Sequence, residues 1–219
     1  MRLATASTER SGHRAHVLPY FAFVVLTFAQ GKLPWPWAPF VIYPLKTVVV
    51  AGLLWFFRSE YPELRGRFSP VAILAGLVIV ALWVGLDPFY AHADRAGFDP
   101  TRVASPALRT LTIGFRVAGA VLVVPIFEEL FFRSWLARWL IDPRFTEVAL
   151  GKFTWLSFLA TSLVFGLGHF EWLAGILTGF ILHALVVWKK RLADAIVAHA
   201  VANLGLAAYV LKTGRWEFW

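Results

Sequence analysis

Glu128 and Glu129 stand side by side in Pro125-Ile-Phe-Glu-Glu-Leu-Phe-Phe-Arg133, an otherwise apolar stretch of the 219-residue chain. On a helix, Arg133 lies one turn beyond Glu129 on the same face and off the face of Glu128. One carboxylate is then held by a guanidinium, and the other, in low dielectric, is free to take a proton from water. A second apolar block ends in Phe165-Gly-Leu-Gly-His169, where Gly166 and Gly168 permit close backbone approach and leave space around the imidazole. A third contains His199-Ala-Val-Ala-Asn203, an imidazole and an amide at i, i+4, about 6 Å apart on one helical face.

These residue types suit hydrolysis of a peptide bond. The chain has no cysteine, so a thiol nucleophile is excluded. Ser134, Ser157 and Ser162 lack the Lys or Asp–His arrangement that would activate a hydroxyl. Water would be the nucleophile, with Glu128 as its base, His169 positioning it, and His199 with Asn203 donating to the tetrahedral oxyanion. Glu128, His169 and His199 also form a ligand set suited to Zn²⁺, although the HExxH helix is absent and the metal-free reading is preferred. Plainer readings exist for each piece: Glu129–Arg133 as a bridge at a helix end, and His199–Asn203 as hydrogen-bonding glue between helices. His183 reads as a packing residue, and Glu171 as a residue of an outer turn close enough to support His169.

The elements that must position these residues are membrane helices. Hydrophobic residues make up 59% of the chain, charged residues 16%, and the mean hydropathy is +0.66. Apolar blocks near 17–31, 38–57, 70–86, 110–132, 153–169, 172–188 and 192–211 predict an all-α bundle of about seven spans, six to eight, in one domain over 1–219. The segment 134–150, with Trp135, Leu136, Trp139 and Leu140, suits a helix extension at the interface. Trp35, Trp37, Trp188 and Trp216 fit an interfacial belt.

Arg2, Arg10 and Arg14 precede the first block, which reads as an uncleaved start. With the N-terminus in the cytoplasm, residues 1–16, 58–69, 133–152 and 189–191 are inside, carrying thirteen of the 21 basic residues against six outside. The net charge of +8 is explained by this topology, without a nucleic-acid partner. Lys46 and Arg116 fall inside spans, either snorkelling or in a buried pairing role. The topology carries one conflict. If residues 153–169 cross outward, His169 lies ~24 Å along a span whose start is level with Glu128, too far for one site.

At these residues the chain resembles the CAAX protease and bacteriocin-processing family of intramembrane endopeptidases, also called type II CAAX prenyl endopeptidases. The pattern E-E-x-x-x-R appears as Glu128 to Arg133, F-x-x-x-H as Phe165 to His169, and H-x-x-x-N as His199 to Asn203, all within residues 110–211. The resemblance implies a helical membrane fold and peptide cleavage without a cofactor, with Glu128 and His169 activating water, His199 and Asn203 at the oxyanion, and Glu129 and Arg133 supporting them. The segments Tyr43-Pro-Leu-Lys46 and Trp216-Glu-Phe-Trp219 are similar to a bacterial branch associated with exosortase sorting systems. That branch implies the cytoplasmic membrane of a bacterium and an exported or sorted peptide or protein as substrate, with lipid as the other partner. The competing functions are an ion-coupled transporter, in which buried Glu, His and Arg form a proton path, and a non-catalytic scaffold of an export system.

Overall fold

The computed structural model describes residues 2–90 and 98–219, with side chains from residue 11 onward, so the side chains of Arg2 and Arg10 lie outside the described residues. The fold is all-α, as expected, and among the described residues there is no strand. Seven principal helices correspond to the seven apolar blocks: α1 (Arg2–Lys32), α2 (Ala38–Phe56), α3 (Pro70–Leu86), α4 (Pro106–Trp139), α5 (Trp155–Leu167), α6 (Trp172–Lys189) and α7 (Leu192–Thr213). The spans on α2, α3, α4, α6 and α7 are long and apolar enough to cross a membrane.

Local chemistry sets the helix ends. Pro70 opens α3, where its missing N–H costs nothing, and the preceding Ser69 N–H donates to Asp194 Oδ1 at 2.8 Å, joining the starts of α3 and α7. The Thr154 hydroxyl caps α5 by accepting from Ser157 N–H at 3.2 Å. Gly214, with φ of 70°, terminates α7 in the left-handed region. Close helix contacts rest on small residues. A Cβ on Gly166 would lie 2.3 Å from the backbone nitrogen of Ile176, so α5 and α6 pack backbone to backbone there. Gly168 differs from expectation: its nearest neighbour would be 3.4 Å away, so no close approach depends on it.

The helix α4 continues beyond its apolar block to Trp139, but residues 140–150 do not extend it. A turn and the short Phe145–Glu147 helix follow, with Phe145 buried against Gly12 of α1. Pro143 explains the break, because the residue before a proline is pushed out of helical geometry. The other correction concerns residues 153–169. Only Trp155–Leu167 is helical, 13 residues or ~20 Å, which is short of a hydrocarbon core of ~30 Å. His169 lies in the turn that follows, where the chain doubles back into α6.

The segments expected on the cytoplasmic side do gather at one end of the bundle. His16 of α1 bonds Glu63 at 2.8 Å, Arg138 of α4 reaches the same carboxylate at 3.3 Å, and Ser134 also bonds it. Lys190 Nζ donates to Gly151 O at 2.6 Å. Burial alone would raise the Glu63 carboxyl, but the hydrogen bond and charge of His16, with the Ser134 hydroxyl, outweigh it and hold the group down at about 2. A folded-state value below the ordinary 4.5 stabilises the fold above pH 4.5, and the contribution is lost as pH falls toward 2. Thermal unfolding in detergent should show this acid limb in the wild type and a flattened one in Glu63→Gln; identical limbs would remove Glu63 as its source.

Candidate active site

The helix α4 is widened to π geometry at Gly119–Val123 and again at Leu130–Leu136, with one α-helical turn and a half, Val124–Glu129, between them. Such bulges re-aim side chains and frequently mark functional positions. Their cause is partly legible at Pro125, which has no N–H and whose ring disfavours the regular α ladder behind it. Val124 N–H bonds Gly119 O rather than Ala120 O, and the next residue along, Pro125, has no N–H to offer. Ala120 O is thereby left without a ladder donor, and Asn203 Nδ2 supplies one at 2.7 Å from α7. One donor of the expected oxyanion amide is therefore spent on α4; its second N–H is what remains for a ligand. Asn203→Leu would orphan that carbonyl at about 1–3 kcal/mol and lower the unfolding temperature by a few degrees. An unchanged melting curve would refute the anchoring role.

The two carboxylates occupy different environments, as the spacing predicts. Glu129 is fully buried and Arg133 2% exposed, and Glu129 Oε1 meets Arg133 Nη1 at 3.1 Å. Arg133 also donates to Gly179 O at 3.4 Å, and its guanidinium lies 4.3 Å from the ring centre of Phe165. Glu129 does more than hold Arg133: the same Oε1 accepts from His199 Nδ1 at 2.9 Å. That bond orients the imidazole and turns Nε2 toward Glu128, whose Oε2 is 3.9 Å away and has no hydrogen-bond partner. With Nδ1–H committed to Glu129, Nε2 donates to an oxyanion only when the ring carries both protons.

His169 is fixed by its own turn. Its Nδ1 lies 2.8 Å from Phe165 O, which only accepts, so Nδ1 carries the proton and Nε2 of the neutral ring is an acceptor. Trp83 packs edge-on against the His169 ring at 5.5 Å and donates from Nε1 to Thr178 Oγ1 at 2.9 Å. Phe165, 1% exposed, lies between the two imidazoles, with ring centres 4.9 Å from His169 and 6.0 Å from His199. Trp83 is the site residue that spacing alone misses. Phe165 had a signal, four residues before His169, but its contacts with His199 and Arg133 are long-range.

Glu128, His169, His199 and Asn203 all line one cavity of about 670 Å³, and because Phe165 touches both imidazoles while His199 lies 3.9 Å from Glu128, the ~24 Å conflict is removed. The short α5 and its turn bring His169 back to the level of Glu128. Glu171 also lines this cavity, at the start of α6 and largely buried. His183 does not: it is buried between helices with Nδ1 2.8 Å from Thr161 Oγ1 and packs on Phe158, a packing role as expected. Ser134 bonds Glu63 and Arg138, Ser157 sits at the start of α5, and Ser162 faces Gly179. Imidazoles held through Nδ1 are arranged as metal ligands often are, yet among the described residues no three His, Asp or Glu side chains are gathered closely enough to hold an ion.

Residues 110–205 match the family model described as type II CAAX prenyl endopeptidase Rce1-like, the family that the three motifs resemble. The matched stretch contains every motif residue from Glu128 to Asn203. No curated protein and no solved structure matches the chain significantly. Together with the apolar spans, the match supports a multi-pass membrane protein and a protease of the CAAX endopeptidase type.

Proposed function

We propose that the protein is an intramembrane endopeptidase that cleaves an exported or sorted peptide by water activated between Glu128 and the two histidines. The observation that carries this reading is the facing pair Glu128 Oε2 and His199 Nε2, 3.9 Å apart on the wall of a roomy cavity. That gap is too long for a direct hydrogen bond and suits one water bonded to both. Glu128 removes the water proton, and His169, an acceptor at Nε2, holds the water in line. The doubly protonated His199 ring and the free N–H of Asn203 then stabilise the oxyanion, and the proton on Glu128 passes to the leaving amine. Glu129 holds His199 in position, and Arg133 holds Glu129. The N-terminus and the polar end around Glu63 face the cytoplasm of a bacterium, as the basic residues argue.

The test uses the full chain in proteoliposomes with quenched apolar peptides. Time-dependent cleavage that survives a zinc chelator is expected. Cleavage lost to the chelator and restored by Zn²⁺ would overturn the metal-free mechanism, and Glu128-dependent proton flux without cleavage would overturn the peptidase reading in favour of a transporter.

A further inference from the structure

Two cations in the apolar body of the bundle have, among the described residues, no acid within ion-pair distance. Lys46 of α2 is 4% exposed, and its Nζ donates to Thr27 Oγ1 at 2.8 Å and lies 4.2 Å from the Phe23 ring centre. Arg116 of α4 lines the cavity that contains Glu128 and His199, and its Nε has no hydrogen-bond partner. Both cations bear on one ring, Tyr43, at 4.9 and 4.3 Å from its centre. Among the described residues neither Lys46 nor Arg116 has a carboxylate within ion-pair distance. Glu217, on the same cavity wall, is held by Arg215 Nε at 2.8 Å. Lys46 is buried against rings, whereas Arg116 is half-buried, its guanidinium laid on Tyr43 where it borders the cavity.

Aromatic faces return less than removing an ion from water costs, a cost that falls in full on Lys46 and in part on the half-buried Arg116. The deficit is met when an anion enters the cavity. We infer that Arg116, backed by Lys46 across Tyr43, receives a carboxylate of the peptide substrate at the end of the cavity remote from Glu128. This inference rests on the peptidase reading and names a feature of its substrate. Arg116 precedes Glu128 by 12 residues on α4, at most ~18 Å at 1.5 Å per residue and somewhat less through the π-widened Gly119–Val123. An extended peptide covers that distance in about five residues. The cavity thus selects apolar peptides with an acidic group about five residues from the bond cleaved. Phe23, Tyr43 and Trp219 line the same wall and suit the apolar residues between.

Binding tests this apart from cleavage. Full-length Glu128→Gln protein in phosphatidylcholine nanodiscs is titrated with fluorescent apolar decapeptides, paired so that one member carries a carboxylate and the other the corresponding carboxamide, the group being moved along the chain. The acid is expected to bind about tenfold tighter than the amide. Arg116→Gln and Lys46→Met should each reduce the preference, and Arg116→Lys should keep part of it. Equal affinity for acid and amide in the parent protein overturns the inference, as does an undiminished preference in folded Arg116→Gln. Parallel nanodiscs containing phosphatidylglycerol identify the source of the anion: a lipid-dependent rise in melting temperature that Arg116→Gln abolishes, with no acid preference among peptides, assigns the site to a lipid phosphate and also overturns it. Loss of cleavage in wild type with the acid preference intact would instead count against the peptidase reading.

Discussion

Glu128→Gln is expected to lower peptide cleavage by about 10²–10⁴-fold, the range that a positioned general base contributes, while the protein stays folded. The environment of the side chain explains both halves. Glu128 Oε2 has no hydrogen-bond partner and the group borders the cavity, so a carboxamide of the same shape breaks no bond that holds the bundle together. The carboxamide cannot take a proton from water, and the chemical step fails at its start. Cleavage by the purified variant in proteoliposomes, set against its unfolding temperature, is the measurement. Undiminished cleavage would remove Glu128 as the base. A large fall in unfolding temperature would mean that Glu128 holds the helices together rather than acting on water.

The contrast between the carboxylates was legible in the sequence because it is local. Helical periodicity puts Arg133 over Glu129 and away from Glu128, and the ion pair at 3.1 Å follows. Hydropathy likewise marked the helices, since a spanning segment must be apolar and satisfy its own backbone. Three features were not legible. The bond from Glu129 to His199 joins α4 to α7, and no spacing along one helix carries it. Asn203 has the type and position of an oxyanion donor, but its bond to Ala120 O depends on the hydrogen bonds that Val124 and Pro125 withhold. The depth of His169 depended on α5 being 13 residues long; the break before residue 172 marked the turn, but the apolar block over 153–169 did not show that its helix is too short to cross.

Arg133→Met separates what holds the site together from what acts in it. The substitution leaves the Glu129 carboxylate fully buried with only His199 to bond, and removing one partner of a buried pair costs about 3–5 kcal/mol. A typical domain has about 5–15 kcal/mol in total, so the unfolding temperature should fall by roughly 10 °C or more and cleavage should fall with it. That result alone does not show how Glu129 serves the reaction, since a loosened bundle would also lose activity. The double variant Glu129→Leu/Arg133→Met removes both charges together, and replacing a buried pair with apolar groups of similar size is often neutral or stabilising. Its unfolding temperature should therefore return most of the way to wild type. Cleavage should not return, because His199 Nδ1 has lost the oxygen at 2.9 Å that turns its Nε2 toward Glu128. Glu129→Gln falls between the two, as its amide oxygen still accepts from His199 but no longer carries the charge opposite Arg133. If the double variant recovered cleavage along with stability, Glu129 would be a structural partner of Arg133 alone, and the orientation of His199 would have to come from the packing of Phe165.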